Sequence, residues 1–211
     1  MKYALTGLLV MLCAITQAQD PDLNQNKPKE VTANTWHYGI KAALNFSGIS
    51  GNGMKSSISS AGGELGAFVA YELSSKWGLQ IEGIAAQNTV KRGSDFLTYY
   101  NVDGFTASNE KAKLTYLNIP VLARYRLSES WSFVAGPQVG FLLNDNENYL
   151  NYDRRAFKTY QISGNLGAEF NISNVALFAR YNMGITNIND VDSRYEWRSH
   201  NLQLGIAVRI K

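Results

Sequence analysis

Charged side chains occur inside segments in which every second residue is apolar, and most of the chemistry in this sequence lies there. Successive side chains of a strand point to opposite faces, so each of these charges falls on the face away from the apolar residues. The four acids and four bases are Lys41, Glu64, Glu72, Glu82, Arg124, Glu169, Arg180 and Arg209. Equal numbers of opposite charges can pair, which offsets the cost of burying them. We predict an internal network of ion pairs.

Histidine chemistry is limited, because the sequence has two histidines, His37 and His200. They are predicted at opposite ends of the fold, so no two-histidine metal site is expected. His200 follows Ser199, and Asp190 and Asp192 lie nearby in sequence. A hydrolase needs a nucleophile within hydrogen-bond reach of the base and a group that orients the base. Nothing in the spacing fixes that geometry, so we predict no enzyme, no catalytic residues and no cofactor.

Other metal chemistry is not indicated either. The segment 144–148 (NDNEN) is rich in oxygen ligands but lacks the spaced carboxylates and turn glycine of a calcium loop, and is interpreted as a hydrated loop. Cys13 is the single cysteine and lies in residues 1–18, which are predicted below to be a cleaved signal peptide. Disulfides and cysteine metal sites are therefore excluded after cleavage.

The amino terminus has the pattern of an export signal. Lys2 is followed by an apolar run at 8–15, and small residues stand at 16 and 18, so residues 1–18 are predicted to be a cleaved signal peptide. Residues 19–35 are polar and are predicted to be a disordered periplasmic leader. Of the 20 basic residues, Lys2 is removed with the signal peptide. The remaining basic residues exceed the 17 acidic residues only slightly, which excludes nucleic acid as a favoured partner.

Eight segments alternate apolar and polar residues. They are 36–46, 64–73, 77–90, 113–127, 131–143, 158–170, 175–185 and 200–210. The gaps between them are alternately long and short, which is typical of bacterial outer-membrane barrels with long extracellular loops and short periplasmic turns. Residues 36–211 are therefore predicted to form an all-β, eight-stranded, antiparallel up-and-down transmembrane barrel, with a periplasmic amino terminus.

Aromatic residues cluster at the strand ends beside the short turns. They are Trp36, Tyr71, Trp77, Tyr125, Trp131 and Phe170, all on the apolar face. Such a cluster predicts a girdle at the periplasmic membrane interface. Phe46, Phe141 and Tyr160 could contribute to the opposite girdle.

The long loops carry further aromatic residues, in part beside arginine. The candidates for recognition are Tyr99, Tyr100, Tyr149, Tyr152, Tyr195 and Trp197. Exposed aromatics beside arginine are typical of recognition surfaces. Arginines there could equally contact lipopolysaccharide phosphates, and the aromatics could instead pack together above the barrel. The predicted partners are outer-membrane lipid, including lipopolysaccharide, and a protein or host-surface ligand.

Two motifs resemble a known family. Residues 116–122 (YLNIPVL) and 136–142 (GPQVGFL), supported by 39–47 (GIKAALNFS) and 180–185 (RYNMGI), are similar to the Bacteroidetes-type outer-membrane β-barrel domain family, also labelled porin family or PorT-like. The resemblance covers about residues 36–211. It implies an eight-stranded barrel in the outer membrane and no agreed substrate.

Three functional hypotheses follow. Eight strands enclose a space that side chains fill, which favours a plugged barrel acting as a structural or interaction scaffold. The alternative is a narrow channel in which ion pairs exchange partners to open a path for small solutes. A surface lipid hydrolase built around His200 ranks third.

Overall fold

The computed structural model describes residues 33–51, 60–91, 111–144, 149–150, 154–155, 157–190 and 196–210. The predicted signal peptide and most of the predicted leader lie outside the described residues. Among the described residues, no helix has the length and apolarity needed to cross a membrane.

The described residues form ten strands. They are β1 (Thr35–Gly51), β2 (Ser60–Glu72), β3 (Trp77–Lys91), β4 (Lys111–Arg126), β5 (Trp131–Asn144), β6 (Tyr149–Leu150), β7 (Arg154–Arg155), β8 (Tyr160–Ile172), β9 (Val175–Gly184) and β10 (Trp197–Arg209). Eight of them close into a barrel in the order β1-β10-β9-β8-β5-β4-β3-β2, and every neighbouring pair is antiparallel. The two shortest, β6 and β7, pair with each other. The predicted eight-stranded antiparallel barrel is confirmed.

The strands β1 and β10 close the barrel, and both are longer than the alternation predicted. β1 continues from the predicted end at Phe46 to Gly51, and β10 begins at Trp197 instead of His200. The register runs without a break from Gly39 opposite Arg209 to Gly51 opposite Trp197. Residues 47–51 (SGISG) have a composition typical of a turn, but cross-strand pairing extends the ladder through them.

One end of the barrel carries the short turns, and we call it the short-turn end. Two of its turns repeat one sequence pattern, LSSKW at 73–77 and LSESW at 127–131. In each, the serine Oγ accepts a hydrogen bond from the backbone N–H of the tryptophan, at 3.0 Å from Ser74 to Trp77 and 3.1 Å from Ser128 to Trp131. The third turn places Ser173 at a φ of 55°. The opposite end is called the long-connection end.

The two faces of the wall differ sharply in polarity. Apolar side chains point outward and are exposed, among them Leu65, Ile81 and Leu204 at 67%, 48% and 46%. Polar and charged side chains point inward and are buried. This distribution is the reverse of that in a water-soluble protein, and it suits a wall surrounded by hydrocarbon.

The lipid-facing band can be tested by its depth dependence. Leu204, opposite Leu44 in the register, is in the middle of the wall, whereas Leu127 lies at a short turn. We expect Leu204→Arg to lower the free energy of unfolding by about 2–4 kcal/mol and Leu127→Arg by about 0–1 kcal/mol. Urea unfolding in lipid vesicles, followed by tryptophan fluorescence, measures both. Equal losses would contradict the assignment of the band.

Candidate functional site

The centre of the barrel interior holds Glu82, a carboxylate shared by two cations. Arg180 donates to it through both terminal nitrogens, Nη1 to Oε2 at 2.8 Å and Nη2 to Oε1 at 2.9 Å. Lys41 Nζ donates to Oε2 at 2.9 Å, and Gln80 Nε2 donates to Oε1 at 2.6 Å. All four side chains are buried. A bidentate arginine contact is among the strongest that a carboxylate makes, so this central cluster joins β1, β3 and β9 firmly.

An aromatic ring also contacts the central cluster. Lys41 Nζ lies 4.1 Å from the ring centroid of Phe178, and the guanidinium carbon of Arg180 lies 5.6 Å from it. The negative face of the ring stabilises a cation at this distance. The ring thus supplements one carboxylate that faces two positive charges.

A second ionic cluster lies nearer the short-turn end. Glu72 Oε1 is 3.5 Å from Arg124 Nη1 and 3.1 Å from Arg126 Nη2, and Arg124 Nε is 3.2 Å from Glu169 Oε2. Arg124 also donates to Asn171 Oδ1 at 2.9 Å. Arg126 was not among the predicted network residues, although its parity with Arg124 places it on the same face. It lies inside the predicted segment 113–127, so its alternation with Arg124 was the signal that could have identified it.

Two of the predicted network residues lie outside these clusters. Glu64 is buried and accepts a hydrogen bond from Gln203 Nε2 at 3.1 Å, but it is paired with no base among the described residues. Arg209 lines a small cavity of about 20 Å³ with Arg124 and Glu169 and has no ion pair within the described part of the chain. The predicted network of ion pairs is therefore incomplete at Glu64 and Arg209: Glu64 is hydrogen-bonded to an amide, and neither residue forms an ion pair with another described residue.

An amide network fills the interior on the long-connection side of the central cluster. Asn182 Nδ2 donates to Ser163 Oγ at 2.8 Å and to Asn165 Oδ1 at 3.2 Å, and Asn165 Nδ2 donates to Gln138 Oε1 at 3.3 Å. Ser199 Oγ donates to Gln161 Oε1 at 3.0 Å. These neutral groups satisfy one another across four strands, so this layer needs no charge.

An apolar cap closes the interior at the long-connection end. Its members are buried side chains that point inward or pack over the opening of the barrel. They are Ile49, Leu114, Tyr116, Phe157, Ile188 and Trp197. The rings of Phe157 and Trp197 lie 6.0 Å apart, and the backbone N–H of Ile188 donates to the carbonyl of Trp197 at 2.9 Å. The apolar cap covers the amide network.

The prediction that Trp197 is an exposed loop aromatic is wrong. It is the first residue of β10, and 4% of its surface is exposed. Its inward parity with Ser199 and the cap around it bury the ring. The other candidates for loop recognition cannot be placed in the same way, since Tyr99, Tyr100, Tyr152 and Tyr195 lie outside the described residues and the side chain of Tyr149 is not described.

The six aromatic residues at the short-turn end form three cross-strand pairs on the outer face. Ring centroids are 4.7 Å apart for Trp36 and Tyr71 and 4.8 Å apart for Trp77 and Tyr125. Trp131 and Phe170 are 5.0 Å apart. Pairs at these distances stabilise neighbouring strands beyond their area of contact. Nearer the other end, Phe141 lies opposite Tyr160, and Phe46 lies opposite Leu202.

The two histidines lie at opposite ends of the barrel wall. His37 is near the start of β1, and His200 faces outward near the start of β10. Ser199 points inward to Gln161, whereas His200 points outward, because neighbours along a strand point to opposite faces. The two residues that were weighed as a hydrolase pair are therefore not in contact. His200 instead contacts Ser50 and Tyr181. Within the described ranges, no group of three histidine, cysteine, aspartate or glutamate residues could hold a metal ion.

An antiparallel closed barrel with an apolar outside and a polar, filled inside defines an outer-membrane β-barrel protein. Residues 17–190 match the family described as outer membrane protein beta-barrel domain. The chain belongs to this family. No curated protein matches the sequence.

Solved structures of other bacterial barrels are similar in fold. Ail, the attachment invasion locus protein of Yersinia pestis, crystallised with the heparin analogue sucrose octasulfate, is 13% identical with a TM-score of 0.50, and the match covers 83% of this chain and 99% of that one. Neisserial surface protein A is 15% identical with a TM-score of 0.49, covering 81% and 96%. OprG of Pseudomonas aeruginosa is 13% identical with a TM-score of 0.46, covering 84% and 96%.

The central cluster can be tested with a matched pair of isosteric changes. Glu82→Gln removes the carboxylate that two buried cations share, and we expect the free energy of unfolding to fall by about 3–5 kcal/mol. Glu64→Gln, at another buried carboxylate without a basic partner, is the control, with an expected loss of at most about 1 kcal/mol. Urea unfolding in vesicles gives both values. A loss at Glu64 as large as that at Glu82 would be inconsistent with this account.

Proposed function

We propose that this protein is a non-conducting outer-membrane scaffold whose long-connection end is extracellular and binds a lipid, protein or host-surface ligand. The observation that carries the proposal is the filling of the barrel interior. Two ionic clusters, the amide network and the apolar cap follow one another along the axis, and most of their side chains are buried.

The filled interior supports a scaffold more strongly than a channel. Arg180, Glu82 and Gln161 are each at most 2% exposed. The cavity beside Arg209 is about 20 Å³, which holds one or two water molecules. An ion crossing this interior would have to displace the apolar cap and then separate buried ion pairs, which is costly.

A narrow channel for small solutes is the second candidate, and the arrangement around Glu82 favours it. Lys41 and Arg180 both contact Oε2 of the same carboxylate, at 2.9 Å and 2.8 Å. A carboxylate that is shared in this way can release one cation and keep the other. Glu64, which forms no ion pair with a described residue, is a second buried carboxylate that could accept the released cation.

The proposed orientation and subgroup rest on local features. Short turns are typical of the periplasmic rim of outer-membrane barrels, which supports a periplasmic amino terminus and extracellular long connections. The motifs at 116–122 and 136–142 lie side by side, with Leu117 opposite Phe141 and Pro120 opposite Gln138. The two motifs that resemble the family are thus paired on neighbouring strands. This pairing supports an assignment to the Bacteroidetes-type, PorT-like subgroup of porin-family barrels.

The proposed ligand class rests on the long connections. They carry tyrosines and arginines in the sequence, and such residues suit a polar, anionic ligand such as lipopolysaccharide phosphate or a sulfated host glycan. The complex of the Yersinia protein with a heparin analogue makes a sulfated sugar a sensible first probe.

Conductance distinguishes the two candidates. We expect refolded wild-type protein in planar bilayers to give no discrete steps, because each interior layer blocks the path. A combined variant that truncates one side chain in each of the four layers, Arg124→Ala, Arg180→Ala, Gln161→Ala and Trp197→Ala, should conduct and serves as the positive control. Reproducible wild-type steps that Glu82→Gln alters would favour the channel.

Orientation is tested on intact cells. An epitope inserted at residues 100–105 should be accessible to antibody without permeabilisation, whereas one inserted at residues 22–26 should require permeabilisation, because the proposed topology assigns the two positions to opposite sides of the membrane. A heat-modifiability gel verifies that both variants fold. The opposite pattern of labelling would invert the proposed topology.

A further inference from the structure

A serine hydroxyl, an imidazole and a phenol are in contact on the outer face of the barrel near the long-connection end. Ser50 Oγ lies 2.5 Å from His200 Nε2, and Tyr181 Oη lies 3.0 Å from His200 Nδ1. The planes of the two rings are close to parallel, with an interplanar angle of 20° and centroids 6.2 Å apart. Each ring nitrogen of His200 therefore has one defined partner.

Three adjacent strands place these groups through the register of the sheet. His200 on β10 lies opposite Gly48 on β1 and Met183 on β9. Ser50 and Tyr181 are each two residues from those partners, so both are diagonal neighbours of His200 on the same face. Gly48 has no side chain between them, which leaves the approach of Ser50 to the imidazole open.

The hydrogen bonds are mutually consistent in one tautomer. With the proton on Nδ1, His200 donates to the Tyr181 oxygen and accepts the Ser50 hydroxyl proton at Nε2. A serine is activated when its hydroxyl is hydrogen-bonded to a base and that base is hydrogen-bonded to an orienting group.

We propose that Ser50 is the nucleophile and His200 the general base of a hydrolase acting on acyl esters of the surrounding lipid, with Tyr181 as a positioning residue. This activity goes beyond the scaffold role and does not depend on it. The sequence directed attention to Ser199 instead, because Ser50 lay beyond the predicted end of the first strand.

The proposed reaction has two steps with water as co-reactant. Ser50 Oγ attacks the ester carbonyl carbon while its proton moves to His200 Nε2; the bond to the alcohol oxygen breaks, and that oxygen takes the proton from Nε2. The acyl group is now esterified to Ser50. Water attacks the acyl carbon, gives a proton to Nε2, and the proton passes to Ser50 Oγ as the fatty acid leaves.

The surroundings suit a lipid ester. Met183, Ile185 and Leu202 are exposed apolar side chains on the same outer face, at 52%, 56% and 36%, and offer a surface for an acyl chain. Arg198 lies directly opposite Ser50 in the register and pairs with Glu196 at 3.1 Å. Its guanidinium is placed to attract a headgroup phosphate or to stabilise the oxyanion.

The first test is covalent labelling of the folded, full-length protein. A fluorophosphonate probe reacts with activated serines, so we expect the label on the peptide that contains Ser50, and its loss in Ser50→Ala and His200→Gln. Ser199→Ala, which removes an adjacent inward-facing hydroxyl, is the matched control and should label like wild type. Absence of label at Ser50 in heat-modifiable, folded wild-type protein would overturn the proposal.

The second test measures hydrolysis. A short-chain p-nitrophenyl ester, phosphatidylglycerol vesicles and vesicles containing lipopolysaccharide are the three substrates, with fatty-acid release followed by mass spectrometry for the lipids. Ser50→Ala and His200→Gln should lower kcat/KM by about 100-fold or more. Tyr181→Phe should lower kcat about fivefold with KM unchanged, since it orients the base without contacting substrate.

The lipid substrates separate the two sources of the ester. Release from phosphatidylglycerol alone would assign a phospholipase, and release from lipopolysaccharide alone a deacylase of that lipid; both support the proposal. Cleavage confined to the short-chain ester would overturn the lipid assignment. Hydrolysis that survives Ser50→Ala would refute the assigned nucleophile.

Discussion

Hydrocarbon offers no hydrogen-bond partner to a backbone, and this constraint governs the whole molecule. Every N–H and C=O within the membrane must pair inside the protein, which for strands requires a closed ladder without edges. The pairing of β1 with β10 supplies that closure. Closure then divides every strand into an inward and an outward set of side chains, so the positions of the charges, amides and aromatics all follow from it.

The small interior sets the second constraint. Eight strands leave room for side chains alone, and whatever points inward is removed from both water and lipid. Glu82 satisfies this condition by accepting from two cations and an amide, and the amide network satisfies it without charge. The interior is therefore specified by hydrogen-bond partners more than by shape, which distinguishes it from an apolar core.

The period-two pattern predicted the strands and the inward or outward direction of most residues because alternation is a local property. It failed at strand ends. Trp197 was assigned to a loop although the ladder includes it, and Ser50 was overlooked for the same reason. The partner of Glu64, an amide and not an ion pair among the described residues, depends on which strands face one another across the barrel, and the alternation along one strand does not specify that. The contact of Ser50 with His200 likewise spans 150 positions along the chain.

The seam between the first and last barrel strands also has a kinetic meaning. It places Gly39 opposite Arg209, and Lys41 and Arg180 meet at Glu82 only when β1, β3 and β9 surround the same axis. Contacts between segments so distant in the chain form late, since the entropy of closing a long loop precedes any gain from them. Until β1 and β10 have paired, the inward-facing charged side chains line an open groove. Membrane insertion and barrel closure are therefore expected to be concerted, with one edge of the amino-terminal strand β1 unpaired until the carboxyl-terminal strand β10 is in place.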